Sequence, residues 1–226
     1  MKNYLKNRKI LEDGHVYSRN MEHDACGVGL IASTEGKKSR NVVEYGINAL
    51  KAVFHRGAVD ADGKTGDGAG IHLEIPSDFF TEKIELTGHK HDGSEICIGM
   101  IFLPRNNYEA QENARTLVES ELTKSNFNIY GWRQVPVNTK VLGEKANFTR
   151  PEITQVLFKN NDKNLIGKKL ERKLYESRRK MEKEAIKNAL EGFYICSLSS
   201  KSIIYKGMFL AESIADFYID LQDERF

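Results

Sequence analysis

Three cysteines are the only thiols among the 226 residues, and one of them stands in an unusual setting. Cys26 lies in EHDACGVGLIA, residues 22–32, directly ahead of an apolar run punctuated by Gly27 and Gly29. A free cysteine is most often a small buried apolar residue. One that does chemistry needs a base that makes it a thiolate. Cys97 in EICIGMIFLP and Cys196 in FYICSLSS sit inside apolar, β-leaning runs and are expected to be core residues. The sequence holds no CxxC pair and no Cys/His cluster at zinc-site spacing, so no metal site is expected. His89 and His91 in TGHKHDG are the one close histidine pair, in a polar, glycine-flanked turn that reads as a solvated loop.

The second chemically suggestive stretch is HRGAVDADGKTGDGAG, residues 55–70. A phosphate-binding P-loop ends in Gly-Lys-Thr, as Gly63-Lys64-Thr65 does, but the glycine it needs five positions earlier is Ala58. A calcium loop beginning at Asp60 and continuing through Asp62 needs glycine at its sixth position, which is Thr65. Gly66, Gly68 and Gly70 give GxGxG rather than the dinucleotide GxGxxG, and they precede a strand rather than a helix. Two readings stay open. The loop led by His55-Arg56-Gly57 either offers backbone N–H groups and an arginine to a small carboxylate, or is a structural turn with surface charge.

The elements that must carry these residues follow from hydrophobic periodicity. Residues 26–33 read as a strand, and Val43, Ile47, Leu50 and Phe54 mark one face of an amphipathic helix. Strand-like runs follow at 71–76, 95–104, 129–137 and 153–159, with a helix between the second and third on which Ala110, Leu117 and Leu122 share a face. Residues 168–190 form a long helical segment with Leu170, Leu174, Met181 and Ala185 at helical intervals. Between Lys159 and Lys187 there are eleven Lys/Arg and five Asp/Glu, which reads as a solvated face with i,i+4 ion pairs because Tyr175 alone among aromatics falls between the charges, too few for the stacking residues of a nucleic-acid surface. Residues 193–208 read as a β-hairpin turning at Ser-Ser-Lys. Strands without strict βαβ alternation, together with long helices, predict an α+β fold in one domain.

Composition narrows the class. A net charge of +2 is too mild to imply a nucleic-acid or membrane partner, and no stretch reaches the roughly 18 apolar residues of a spanning helix. The first 25 residues are basic at the start but lack an apolar h-region, so they are not a secretory signal. An odd number of widely spaced cysteines fits a reducing compartment, and the protein is expected to be cytoplasmic.

CGVG, then HRGA and TGDGAGI after an amphipathic helix, resemble the glutaminase domain of the glutamate synthase large-subunit family, a class II (N-terminal-nucleophile) glutamine amidotransferase. IPSDFF, GMIFLP, YGWRQVPVN, RKLYESRRKMEKE and FYICSLSSKSIIYKGM resemble that family's segments in the same order, from Glu22 to the C-terminus. The resemblance implies an αββα sandwich of two antiparallel sheets between helix layers. It implies that residues 1–25 are a propeptide cleaved between Ala25 and Cys26, and that 26–226 is the N-terminal part of the glutaminase domain. Cys26 would then be the nucleophile on L-glutamine, with Arg56 and Gly57 shaping its pocket. No cofactor is implied for this chain. FMN, an iron–sulfur cluster and the amination of 2-oxoglutarate are implied for further domains, with an NAD(P)H-oxidising small subunit as partner in bacterial types.

The sequence departs from the family in one respect. No Asn-Gly dipeptide, the family's oxyanion motif, occurs in the 226 residues. Because removing one oxyanion donor costs about a hundred- to a thousand-fold in rate, the chain by itself is expected to be inactive or weak. The alternatives are another class II amidotransferase, feeding ammonia to a phosphosugar or asparagine acceptor, and a non-catalytic truncated binding module. YKGM and RRKMEKE argue against the first.

Overall fold

The computed structural model describes residues 2–14, 18, 27–54 and 57–226. The first helix, α1 (Lys2–Asp13), precedes α2 (Arg40–Ala52), which Ser39 caps by accepting from Asn41 N–H at 3.3 Å. Then come β1 (Ala69–Glu74), α3 (Ser77–Glu85), β2 (Ile96–Leu103), α4 (Tyr108–Lys124) and β3 (Phe127–Gln134). The chain continues through α5 (Glu144–Thr149), β4 (Glu152–Asn160), α6 (Gly167–Lys187), β5 (Tyr194–Ser199), β6 (Ser202–Gly207) and the short α7 (Ile214–Phe217), followed by a 3-10 turn, Ile219–Gln222.

The strands form two antiparallel sheets. One has the order β3-β4-β2-β5, and the other pairs β1 with β6. The continuous apolar run of β2 serves two cores at once. Ile96, Ile98 and Met100 face the core shared with the smaller sheet, while Cys97, Ile101 and Leu103 face α4 and α6. β4 alternates the same way, with Ile153 and Leu157 on the first face and Val156 and Phe158 on the second. On the other side, α2 packs on β1, where Gly46 faces Ile71. The expected α+β architecture with two antiparallel sheets and packed helices is present.

Several expectations are corrected. The run 193–208 is not a hairpin, because β5 and β6 belong to different sheets. The corner between them is held from outside. Glu171 of α6 accepts from Ser199 Oγ, Ser200 N–H and Ser200 Oγ at 2.9, 2.8 and 2.9 Å. Ser199 Oγ in turn accepts from the N–H groups of Lys201 and Ser202. Those bonds replace the partners that a tight turn would draw from the opposite strand. The described part of the predicted first strand, 27–33, joins neither sheet, and Val28 and Leu30 are 91% and 89% exposed. Alternating apolar residues make a strand only where a ladder partner meets them. On α4 the buried face is Gln111, Ala114, Val118 and Leu122, so of the expected Ala110, Leu117 and Leu122 only Leu122 is fully buried, with Leu117 packed partly buried beside it. Phe54 is exposed rather than buried.

The basic face of α6 is solvated as expected, laced by Arg172–Glu176 and Arg178–Glu182 at 3.1 and 2.7 Å, with Arg179 also on Glu182. The histidine pair lies in an exposed loop as expected, with His89 exposed and His91 half-buried. His91 Nε2 lies 2.9 Å from the Ser94 carbonyl and so donates to it, and both rings meet Tyr130 edge-on. Among the described residues no helix is long and apolar enough to cross a membrane, and no cluster of three or more His, Cys, Asp or Glu could hold a metal.

One polar network is buried among these layers. Arg133 of β3 donates two hydrogen bonds to the Asp220 carboxylate, at 2.5 and 2.7 Å, and a third to Gln155 of β4 at 2.7 Å. Tyr205 of β6 donates to Asp220 at 3.0 Å and accepts from Gln155 Nε2 at 3.3 Å. Asp220 is 3% exposed, so removing one partner strands a charge in the core. Asp220→Ala is therefore expected to lower unfolding stability by about 3–5 kcal/mol in urea titrations. Arg133→Ala with Asp220→Ala together should cost clearly less than the sum of the two. Strict additivity would mean that the two groups do not act as a pair.

Candidate functional site

A cavity of about 1100 Å³ opens between the β1–β6 ribbon and one end of the larger sheet. That end is marked by Phe102, Ile153 and Tyr194, which lie side by side in register. The cavity's other walls come from the end of α2, the loop 57–68, α5 and the segment after β6. Apolar walls with a few charged side chains are the usual make-up of a small-molecule site. The charges here are Asp67, Arg150, Lys206 and Glu212. Lys206 Nζ donates to Tyr194 OH at 2.6 Å and lies over its ring, which fixes the ammonium against the wall. Burial and the neighbouring Arg105 charge push the Arg150 pKa down.

Cys26, Ala25 and Arg56 lie outside the described residues, as does His55. Their described sequence neighbours converge. Gly27, which follows Cys26, and Gly57, which follows Arg56, line the same cavity. Gly57 N–H donates to Phe54 O at 3.0 Å, and a Cβ on Gly57 would stand 3.2 Å from the Asp67 carboxylate.

The loop resolves much of what its sequence left open. Val59 and Gly66 form a β-bridge, Asp60 N–H donates to Thr65 O, and Asp67 N–H donates to Ala58 O. Gly63 N–H donates to Asp60 O, while Lys64 N–H, Thr65 N–H and Thr65 Oγ all donate to the Asp62 carboxylate at 2.9, 2.7 and 2.6 Å. These bonds hold the Asp62 carboxyl at about 2, below its ordinary range. The backbone donors from Gly63 to Thr65 are thus spent inside the loop and do not cradle an anion. The glycines answer to packing instead. A Cβ on Gly66 would come within 2.7 Å of the Phe209 carbonyl, and Gly68 takes φ +130°.

The other two cysteines are unsuited to catalysis. Cys97 is fully buried on the helix side of the larger sheet, and burial raises its thiol far above the ordinary range. Cys196 sits in the core shared by the sheets, and burial pushes its thiol up to about 11. In native protein at about pH 7.5, iodoacetamide should alkylate Cys97 and Cys196 about two orders of magnitude more slowly than an ordinary thiol. Peptide mass mapping before and after denaturation measures this, and rapid native labelling of either would contradict the burial argument.

Comparison with known proteins meets this geometry. Residues 26–226 match the glutamine amidotransferases class-II family. The glutamate synthase [NADPH] large chain of Azospirillum brasilense is 52% identical over 223 residues, covering 99% of this chain and 15% of that protein. Ferredoxin-dependent glutamate synthase 2 of Synechocystis sp. is 38% identical over 203 residues, and the chloroplastic ferredoxin-dependent glutamate synthase of Spinacia oleracea is 38% identical over 207. The chain spans 13% of each of these two. With the matched region covering nearly all of the described cavity-forming elements, the chain belongs to the class II glutamine amidotransferases.

Proposed function

We propose that the chain is the glutaminase portion of a glutamate synthase, with Cys26 as nucleophile and residues 1–25 as a leader removed before catalysis. The observation that carries this is the meeting of Gly27 and Gly57 at one cavity, since the two flank the candidate nucleophile and the candidate pocket arginine. The burial of Cys97 and Cys196 leaves Cys26 as the remaining candidate thiol. The family match that begins at residue 26 supports the cut between Ala25 and Cys26.

The chemistry follows from an N-terminal cysteine. A free α-amine has a reference pKa of about 7.7–8.0 and can take the thiol proton, whereas an amide nitrogen in an uncut chain cannot. The Cys26 sulfur attacks the side-chain amide carbon of L-glutamine, and the carbon–nitrogen bond breaks as the nitrogen takes up a proton and leaves as ammonia. Water then attacks the γ-glutamyl thioester, releasing glutamate and restoring the thiol. Arg56 orients the substrate electrostatically, and Gly57 keeps the wall beside it open. Ammonia passes to 2-oxoglutarate in the remainder of the enzyme, where FMN and an iron–sulfur cluster supply the reducing chemistry, with an NAD(P)H-oxidising small subunit in bacterial forms. Two unpaired buried thiols accord with a reducing, cytoplasmic setting.

In the intact enzyme, Cys26→Ala should lower glutamine hydrolysis by about three orders of magnitude or more, with the thermal midpoint little changed. Undiminished hydrolysis would overturn the assignment. N-terminal mass analysis of fully active enzyme should find Cys26 as the first residue, and an intact Met1 would dismiss the leader.

A further inference from the structure

The geometry points to Asp62 and Thr65 as positioning residues that join the cavity loop to α5, so that both walls of the cavity are set as one unit. This deepens the glutaminase reading above and rests on it for its kinetic consequence. Neither residue is the nucleophile or a pocket-lining group. They act through the loop's backbone.

The contacts are specific to this juxtaposition. The Asp62 carboxylate lies against Gly143, the residue before α5, and the Ala146 N–H in the first turn of α5 donates to Thr65 Oγ at 3.4 Å. The Ala146 N–H is one of the N–H groups that a helix start leaves without an internal partner. Thr65 is 2% exposed, so its hydroxyl and the amide it receives are shielded from water. The approach is close enough that a Cβ on Gly143 would collide with Asp62 Oδ2 and Thr65 Oγ. A second, exposed tie runs from Lys145 to Asp60 at 2.8 Å. At the other end of α5, Arg105 donates to the carbonyls of Asn147 and Phe148 at 2.9 and 3.4 Å. Helix α5 is thus a strut between the loop that follows Arg56 and the turn that follows β2. Ala146 and Thr149 on α5, and Gly57 and Asp67 on the loop, face the same cavity.

Two substitutions separate the joint from the turn it grows out of. In Asp62→Asn the Oδ1 that receives Lys64 and Thr65 N–H is kept, but an NH₂ replaces Oδ2, which receives the Thr65 hydroxyl and lies against the start of α5. Thr65→Val removes the acceptor for Ala146 N–H at nearly constant shape, and Thr65→Ser restores it. In the intact enzyme, hydrogen exchange read by mass spectrometry should speed up about tenfold or more in both 57–67 and 144–149 for Asp62→Asn and Thr65→Val. The KM for glutamine should rise about tenfold with kcat changed less than about threefold, and Thr65→Ser should stay near the parent in both. Exchange that quickens in the loop alone, or a lowered thermal midpoint with exchange and KM unchanged, would overturn the joint. The exchange arm does not depend on what the substrate is. A parent enzyme that fails to hydrolyse glutamine would sink the glutaminase reading and leave the joint standing on exchange alone.

Discussion

The bidentate contact between Arg133 and Asp220 is the constraint on which the arrangement of the sheets depends. It holds the 3-10 turn at 219–222 against β3 and, through Tyr205 and Gln155, against β6 and β4. A buried ion pair is not in general more stabilising than an apolar filling of the same volume. What it adds is direction, because a guanidinium fork and a carboxylate fit in one orientation. From that anchor the preceding residues reach the site. Tyr218 OH donates to the Lys206 carbonyl at 2.8 Å, and Tyr218 also bridges to Val137. Phe217 and Phe209 meet with tilted rings, centroids 5.2 Å apart, and line the cavity. A change at Asp220 is therefore felt at the cavity wall, although it lies outside the lining.

The larger sheet was readable because β2 and β4 are long apolar runs, and either face of such a run must meet a packed layer. The split of β5 and β6 was not readable. A hairpin and a sheet-to-sheet corner have the same local sequence, apolar runs about a short polar break. What decides between them is Glu171, 28 residues earlier than the Ser199 it holds. The strand expected at 26–33 failed for a related reason, since its apolar alternation says nothing of where a partner edge lies. Cys97 and Cys196 were placed in the core correctly because burial of cysteine amid β-branched and aliphatic neighbours is a local property. The site was legible in part. CGVG and HRG mark the residues next to the cavity, but Cys26 and Arg56 themselves lie outside the described residues.

The loop 57–68 shows why composition misleads about anion binding. Glycines and acidic residues in close order suggest a cradle of free N–H groups. Here Asp62 takes two of those N–H groups itself, and the Asp60 carbonyl takes a third. Recognition at this cavity therefore does not fall to the N–H groups from Gly63 to Thr65. The signal that could have revealed this is Asp62 three residues ahead of Thr65, the spacing of a side chain that caps its own turn.

Helices α3 and α5 escaped the periodicity reading because they are too short to show a full amphipathic repeat, and for α5 that shortness has a structural consequence. Six residues make fewer than two turns, and an isolated helix of that length does not hold in water. Its order must come from outside, and the outside contacts are the loop at one end and Arg105 at the other. A long helix could have kept its wall of the cavity in place whatever the loop did. A six-residue helix cannot, so the position of Ala146 and Thr149 depends on the loop that follows Arg56 being in its own place. Shortness is what makes the two walls one element.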